Sequence, residues 1–287
     1  MNFFNALFSH LHDQSHQHQR KGDFHRIISD FCEQTIMQSS FASEVPASVE
    51  FGPFGTLFLP YYSMGNIDSL KLFGLDELIL FSFYLSNKNH YKNVADMGAN
   101  IGLHSILMSR LGWNVNAFEP DPVHVEKIHQ HINLNSVSTI TVKENAIADK
   151  NMPLTFTRLK GNRTGSHLKG KKSNVYGEID EFTVNCVALS EVMSEFDFIK
   201  MDIEGAEADA ICSTVKENWV NTDVMLEVGS EKNAENIFRH LRKLGVRLFS
   251  QKIGWQEVLH LKDMPFSYQD GSLFISSQKE FVWKKGN

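Results

Sequence analysis

The run Val94-Ala95-Asp96-Met97-Gly98-Ala99-Asn100-Ile101-Gly102 carries the residues of this chain best suited to hold a ligand. It reads as a short buried strand, a tight glycine turn and a helix over 103–111. The strand ends in a carboxylate, and Gly98 and Gly102 let backbone approach a ligand closely. Asn100 between them tolerates left-handed backbone better than most residues. A second strand over 114–118 ends in Glu119, followed by Pro120. Glu119 stands about twenty residues beyond the first glycine, where a nucleotide-binding βαβ unit keeps its ribose carboxylate.

The spacing also bears on which nucleotide. Dinucleotide sites show G-x-G-x-x-G, with a helix N-terminus facing a pyrophosphate. Here the pattern is Asp-x-Gly-x-Asn-x-Gly. An anion at Asp96 would repel a pyrophosphate but suit the ammonium group of S-adenosylmethionine, the cofactor this pattern predicts.

A second cluster lies at Phe196-Asp197-Phe198-Ile199-Lys200-Met201-Asp202-Ile203-Glu204-Gly205-Ala206-Glu207. Strand periodicity puts Lys200 and Asp202 on one face, with Ile199, Met201 and Ile203 on the other. In a doubly wound sheet the chain reverses direction between its first and fourth strands, so their carboxyl ends flank one crevice. Lys200, Asp202 and Glu204 therefore stand beside the glycine turn, where a sulfonium would present its methyl group. Glu227 ends the next strand. Glu207 reads as a helix cap, because a helix N-terminus stabilises a carboxylate. No metal is predicted, although Asp202, Glu204 and Glu227 are oxygen donors of the kind a divalent ion takes.

Such groups need rigid elements behind them. From residue 93, strands near 93–96, 114–118, 139–143, 197–202, 223–228, 246–250 and 272–276 alternate with helices near 103–111, 122–134, 188–194, 205–217 and 232–243. That alternation is α/β: a mostly parallel sheet with helices on both faces. Asp121-Pro122 reads as the cap and first position of a helix.

Ahead of residue 93 come a helix over 70–85, a strand or hairpin over 51–62 and a helical spacing over 24–37. We divide the chain into an N-terminal helical extension (1–50), a lead-in hairpin and helix (51–92) and the main domain (93–287). His10, His12, His16 and His18 read as a solvated face or connector, since no carboxylate or cysteine completes a ligand set. A polar excursion over 152–181, centred on Arg163-Thr164-Gly165-Ser166-His167, is long enough to cover the site. Its basic run, Lys169, Lys171 and Lys172, reads as a solvated turn.

The chain has 287 residues and a formal net charge of −6, which gives no global case for gripping phosphate backbones. Cys32, Cys186 and Cys212 are scattered without metal spacing, as in a reducing compartment. No apolar run approaches the roughly twenty residues of a membrane span, and no secretory signal opens the chain, so a cytoplasmic location is expected. Oligomeric state is left open.

Together, residues 94–102, Ala117-Phe118-Glu119-Pro120-Asp121, Asn145-Ala146 and the Lys-x-Asp-x-Glu-Gly-x-Glu run from Lys200 resemble the FkbM family of S-adenosylmethionine-dependent methyltransferases over roughly residues 93–250. The resemblance implies a Rossmann-like class I fold, a seven-stranded sheet whose last strand is antiparallel, and O-methylation of sugars, glycolipids or polyketide-like molecules. Asp96, Gly98, Asn100 and Gly102 would surround the methionine portion, Glu119 would hold the ribose hydroxyls and Asn145-Ala146 would lie along the adenine, with Ala99 and Pro120 completing the expected cofactor-binding set. Two positions depart from the family pattern. An aromatic residue often follows the last glycine, where Leu103 and His104 stand here, and a histidine often stands two positions after the glutamate matching Glu227, where this chain has Gly229.

Methyl transfer to a hydroxyl is an in-line displacement that needs alignment and a base. Asp202 is the predicted base, positioned by Lys200, with Glu204 or Glu227 binding acceptor hydroxyls. Lys200 and the following helix N-terminus favour the anion and so weaken such a base. His104 or His167 is the alternative, and with Arg163 these two line the acceptor side in our reading. Two other functions compete. A nucleic-acid methylase would show Asp/Asn-Pro-Pro-aromatic or Pro-Cys, and this chain has neither at Asp202-Ile203-Glu204-Gly205. A non-catalytic binding module would show a broken glycine motif, and this one is intact.

Overall fold

A computed structural model of the chain describes residues 2–43, 47–171, 178–278 and 283; Lys172 lies outside them. Seven strands form the body of one sheet: β1 (Asn93–Met97), β2 (Asn114–Phe118), β3 (Ile140–Lys143), β4 (Phe198–Met201), β5 (Asp223–Glu227), β6 (Arg247–Ser250) and β7 (Ser272–Ser276). Their order is β6-β7-β5-β4-β1-β2-β3. Strands β1 to β5 pair in parallel, and β7 runs antiparallel to both β5 and β6. The order reverses between β1 and β4, and that switch point opens the crevice a ligand needs.

One strand more than expected is present. Gln256–Glu257 extends the edge beyond β6. Two residues are too few to show an alternation in the sequence, so only the three-dimensional pairing reveals it.

Among the described residues eight helices accompany the sheet: α1 (Phe3–Asp13), α2 (Asp23–Met37), α3 (Leu75–Ser86), α4 (Leu103–Arg110), α5 (Pro122–Asn135), α6 (Leu189–Val192), α7 (Glu207–Cys212) and α8 (Glu231–Leu244). Period-two alternation along the strands assigns the faces. Val94, Phe198, Met225 and Phe274 pack with α1, α3 and α4, whereas Ala95, Ile199, Val224 and Ile275 pack with α7 and α8. Asp121 caps α5 by accepting the Val123 N–H at 2.9 Å, with Pro122 opening the helix.

The N-terminal histidines differ from the solvated reading at two positions, and His12 is the milder case, half-buried with Nδ1 2.8 Å from Ser86 Oγ. His10 and His16 are exposed, but His18 is wholly buried. It accepts the Trp255 indole N–H at Nδ1 (3.0 Å) and bonds the Leu11 carbonyl through Nε2 (2.9 Å). Burial drives its pKa down to about 3, so it stays neutral. The aromatic partner lies 237 residues away in the chain, which is why local composition could not show it.

The excursion is folded rather than looped. Met152–Leu159 pairs antiparallel with Ile179–Ala188, and Ala146–Ala148 and His167–Leu168 complete a four-stranded sheet. One face buries Phe156, Val184 and Cys186 while the other is solvated, so the segment reads as polar. Its basic run is paired: Lys169 meets Glu181 at 2.8 Å and Lys171 bonds Asp209. The lead-in segment docks on its turn, with Asn66 N donating to Gly161 O at 2.6 Å and Arg163 N to Met64 O at 2.9 Å. Ile67 and Arg163, beside that contact, line the crevice.

Candidate active site

The tip of β1 bends at Gly98, whose φ is +79°. The Gly98 and Ala99 N–H groups donate to the Phe118 carbonyl at 2.9 and 3.0 Å, tying the turn to β2. Asn100 takes left-handed backbone, φ +53°, and its N–H donates to Glu119 Oε2 at 2.8 Å. Glu119 Oε1 accepts the Asp121 N–H at 2.8 Å. Each carboxylate oxygen keeps a lone pair for a further donor. Burial raises the Glu119 pKa to about 8 even with these two N–H donors.

A cleft of about 1170 Å³, including its open mouth, lies between this turn and the tip of β4. The structure brings Gly98, Ala99, Asn100, Glu119, Pro120, Asn145 and Ala146 to its wall, together with His104, Arg163, Lys200, Asp202 and Glu204. Glu204 takes φ +56°, so left-handed residues stand on both sides of the cleft. Strained positions of this kind are held only where the surroundings over-determine them.

Four expected residues stand elsewhere. Asp96 is fully buried; its Oδ2 accepts the Ser105 hydroxyl at 2.6 Å and its Oδ1 lies 3.7 Å from Lys200 Nζ. The register of β1 and β4 sets Asp96 directly beside Lys200. Its side chain lies beneath the turn rather than on the cleft wall, where the expected contact with a ligand ammonium would need it. Gly102 caps α4, and a Cβ there would meet Ile128 at 3.2 Å, so it serves helix packing. His167 is buried, with Nδ1 bonded to the Gly165 carbonyl at 2.9 Å, and does not reach the cleft. Glu227 borders a small adjoining cavity with Glu77, Lys200 and Asp202. Burial, reinforced by the Asp202 and Glu77 carboxylates, pushes its pKa well above the usual range.

Lys200 is the electrostatic hub. Its Nζ lies 3.8 Å from Asp202 Oδ2 and 3.5 Å from the Gly98 carbonyl. Burial opposes its charge, but Asp202, Asp96 and Glu77 outweigh that and raise its pKa. Glu207 folds back over its own loop, accepting the Ile203 N–H at 3.0 Å and the Gly205 N–H at 2.9 Å, as a cap would. Among the described residues no group of three or more His, Cys, Asp or Glu side chains is arranged to hold a metal ion.

Glu77 and His124 are polar residues of the cleft wall that the sequence did not point to. Glu77 on α3 sits 3.0 Å from His104 Nε2, and the Tyr84 hydroxyl lies 2.8 Å from His104 Nδ1. His124 is buried and neutral, its pKa driven down by burial to about 4. The Asp76-Glu77 helix start was the available signal for Glu77, but helix starts are commonly acidic for local reasons. Both ring nitrogens of His104 are engaged, so it stands in the cleft wall without a ring nitrogen turned to an acceptor.

Gly229 has a structural reason. A Cβ there would lie 2.6 Å from the Tyr268 hydroxyl, which also approaches Glu204 Oε2 at 3.4 Å. The phenol fills the room that a side chain at 229 would need.

The family model of the methyltransferase FkbM domain matches residues 96–248, more than half of the chain. The chain belongs to the FkbM methyltransferase family. Methyltransferase sdnD of Sordaria araneosa is 26% identical over 195 residues, covering 56% of this chain and 74% of its own. Methyltransferase 1 of Beauveria bassiana is 26% identical over 162 residues, covering 48% and 65%. Among solved structures, a ribosomal protein L11 methylase from Lactobacillus delbrueckii subsp. bulgaricus aligns with a TM-score of 0.38 at 15% identity, covering 67% of this chain and 74% of that one. Membership makes this FkbM protein an S-adenosylmethionine-dependent methyltransferase. A glycine turn under a buried carboxylate with spare lone pairs fits the nucleoside of that donor.

Proposed function

We propose that this FkbM protein moves a methyl group from S-adenosylmethionine to a hydroxyl of a small-molecule or glycan acceptor. The observation that carries this reading is the acidic wall opposite the glycine turn, where Asp202 and Glu204 line the cleft beside Lys200. Carboxylates accept hydrogen bonds from hydroxyls and can take their protons, whereas a nucleic-acid acceptor calls for clustered cations.

The bound donor supplies an electrophilic methyl group. Asn145 and Ala146 would border its adenine, and Glu119 would receive its ribose hydroxyls. Asp202 accepts the acceptor's proton as the new oxygen–carbon bond forms and the sulfur–carbon bond breaks, leaving S-adenosylhomocysteine and the methyl ether. Lys200 orients Asp202, and Glu204 fixes a neighbouring hydroxyl. Arg163, donating to the Tyr62 hydroxyl at 2.5 Å, shapes the acceptor mouth. Alignment of oxygen, methyl and sulfur supplies most of the rate, about 7–11 kcal/mol in well-oriented systems.

The test screens sugar, glycolipid and polyketide hydroxyls with methyl-labelled donor and follows the label by NMR. Label on oxygen, with single-turnover transfer lost in Asp202→Asn, is the expected result. Label on nitrogen or carbon would overturn the acceptor class, and undiminished transfer in Asp202→Asn would remove Asp202 as base.

A further inference from the structure

The methionine end of the donor carries an ammonium group, and something in the cleft must meet it. Asp96, the nearest acidic residue in the sequence, is sealed beneath the glycine turn with Ser105 and Lys200. Glu119 is tied to the Asn100 and Asp121 N–H groups at the tip of β2, the ribose end. Asp202 stands at 3.8 Å from Lys200, whose charge it already balances.

Glu77 is placed differently. It reaches the cleft wall from α3, beside Leu103, His104 and Lys200, from a helix outside the family-matched segment. Burial raises its pKa, but the His104 ring and the Lys200 ammonium outweigh that and hold it below the usual carboxylate value. Its orientation is fixed from behind. Wholly buried Tyr84 keeps its proton, because burial raises its pKa well above the ordinary phenol value. Its hydroxyl lies 2.8 Å from His104 Nδ1, and His104 Nε2 lies 3.0 Å from Glu77 Oε2, so the ring stands between the phenol and the carboxylate. The second oxygen of Glu77 is left for a cation.

We propose that Glu77, held by the His104–Tyr84 pair, receives the ammonium group of the donor's methionine end. This rests on the S-adenosylmethionine reading of the cleft and adds to it a residue on the lead-in helix. A carboxylate held on one oxygen against an imidazole is a pre-set cation receptor, and its loss should weaken only ligands that carry the cation.

Two ligands separate the effects in titration calorimetry. S-adenosylhomocysteine has the amino-acid end, and 5′-methylthioadenosine keeps the nucleoside and sulfur without it. In Glu77→Gln, S-adenosylhomocysteine should bind about 10- to 100-fold more weakly, the scale of one lost hydrogen bond to a charged group. Methylthioadenosine should change less than about twofold, which also shows that the variant is folded. His104→Gln should show the same selectivity with a smaller loss. Equal weakening of both ligands in Glu77→Gln, unchanged S-adenosylhomocysteine binding, or the selective loss in Asp202→Asn instead would overturn the assignment. Failure of the unaltered protein to bind either ligand would overturn the donor reading itself.

Discussion

Gly98 lies so close to the backbone of Asp202 that a Cβ at position 98 would sit 1.8 Å from the Asp202 carbonyl oxygen. The tips of β1 and β4 therefore meet backbone to backbone, and that approach brings the glycine turn against Lys200 and Asp202. In Gly98→Ala both the left-handed φ of +79° and the contact are lost. The backbone cost alone is about 1–2 kcal/mol, and the strand tips must also part. We expect a lowered melting temperature and at least about tenfold weaker S-adenosylhomocysteine binding. Binding as tight as in the unaltered protein would show that the approach does not shape the cleft.

Glu119 sets a pH dependence. Free of ligand, its pKa near 8 keeps it largely protonated at neutrality. Ribose hydroxyls donate to the ionised form and favour it, so binding should expel a proton. Affinity for S-adenosylhomocysteine should then rise as pH increases toward 8 and level off above, by at most about tenfold per unit. Calorimetry in buffers of different ionisation enthalpy reads the proton directly, and Glu119→Gln should remove both the release and the slope. Proton uptake on binding would contradict the assignment.

Gly229 and Tyr268 should behave as a coupled pair. Gly229→Ala drives a methyl group to within 2.6 Å of the phenol oxygen, an overpacking that costs about 1–3 kcal/mol. Shortening the neighbour in Gly229→Ala/Tyr268→Ala should recover part of that loss relative to the sum of the single changes. Chemical denaturation of the four proteins measures the coupling. Simple additivity would mean that the phenol gives way freely.

The N-terminal extension is fastened by a neutral histidine. In the native protein His18 has a pKa of about 3, against an ordinary value of 6.5 when unfolded. The unfolded chain thus binds a proton more readily as pH falls below 6.5. The stability tied to His18 is complete above 6.5 and drains away between 6.5 and 3. Between pH 8 and pH 5.5 the loss assignable to it is about 1.4 kcal/mol. His18→Gln, which keeps a donor and an acceptor without titrating, should lose that much less over the same interval in urea unfolding. An unchanged pH slope would show that His18 opens to solvent.

Much of this molecule is legible in its sequence because α/β elements announce themselves locally. The strand ending at Asp96, the Gly98 turn, Glu119 after β2 and the Lys200–Asp202–Glu204 run all lie where period and spacing put them. What failed to show was non-local. Asp96 reads as a ligand-facing carboxylate until the β1–β4 register sets Lys200 beside it. Glu77 is an unremarked helix start until α3 folds it over the cleft against His104. The excursion reads as a loop because its two long strands each turn several residues to water, and His18 reads as solvated because Trp255 is remote in the chain.

The most direct measurement is a crystal structure with S-adenosylhomocysteine bound. The ribose hydroxyls should lie within hydrogen-bonding distance of Glu119, the adenine against Asn145 and Ala146, and the sulfur should face Asp202 across the Gly98 turn. A ligand bound elsewhere, or a cleft left closed by the 65–67 and 161–163 segments at saturating ligand, would contradict the assignment of this crevice as the methyl-donor site.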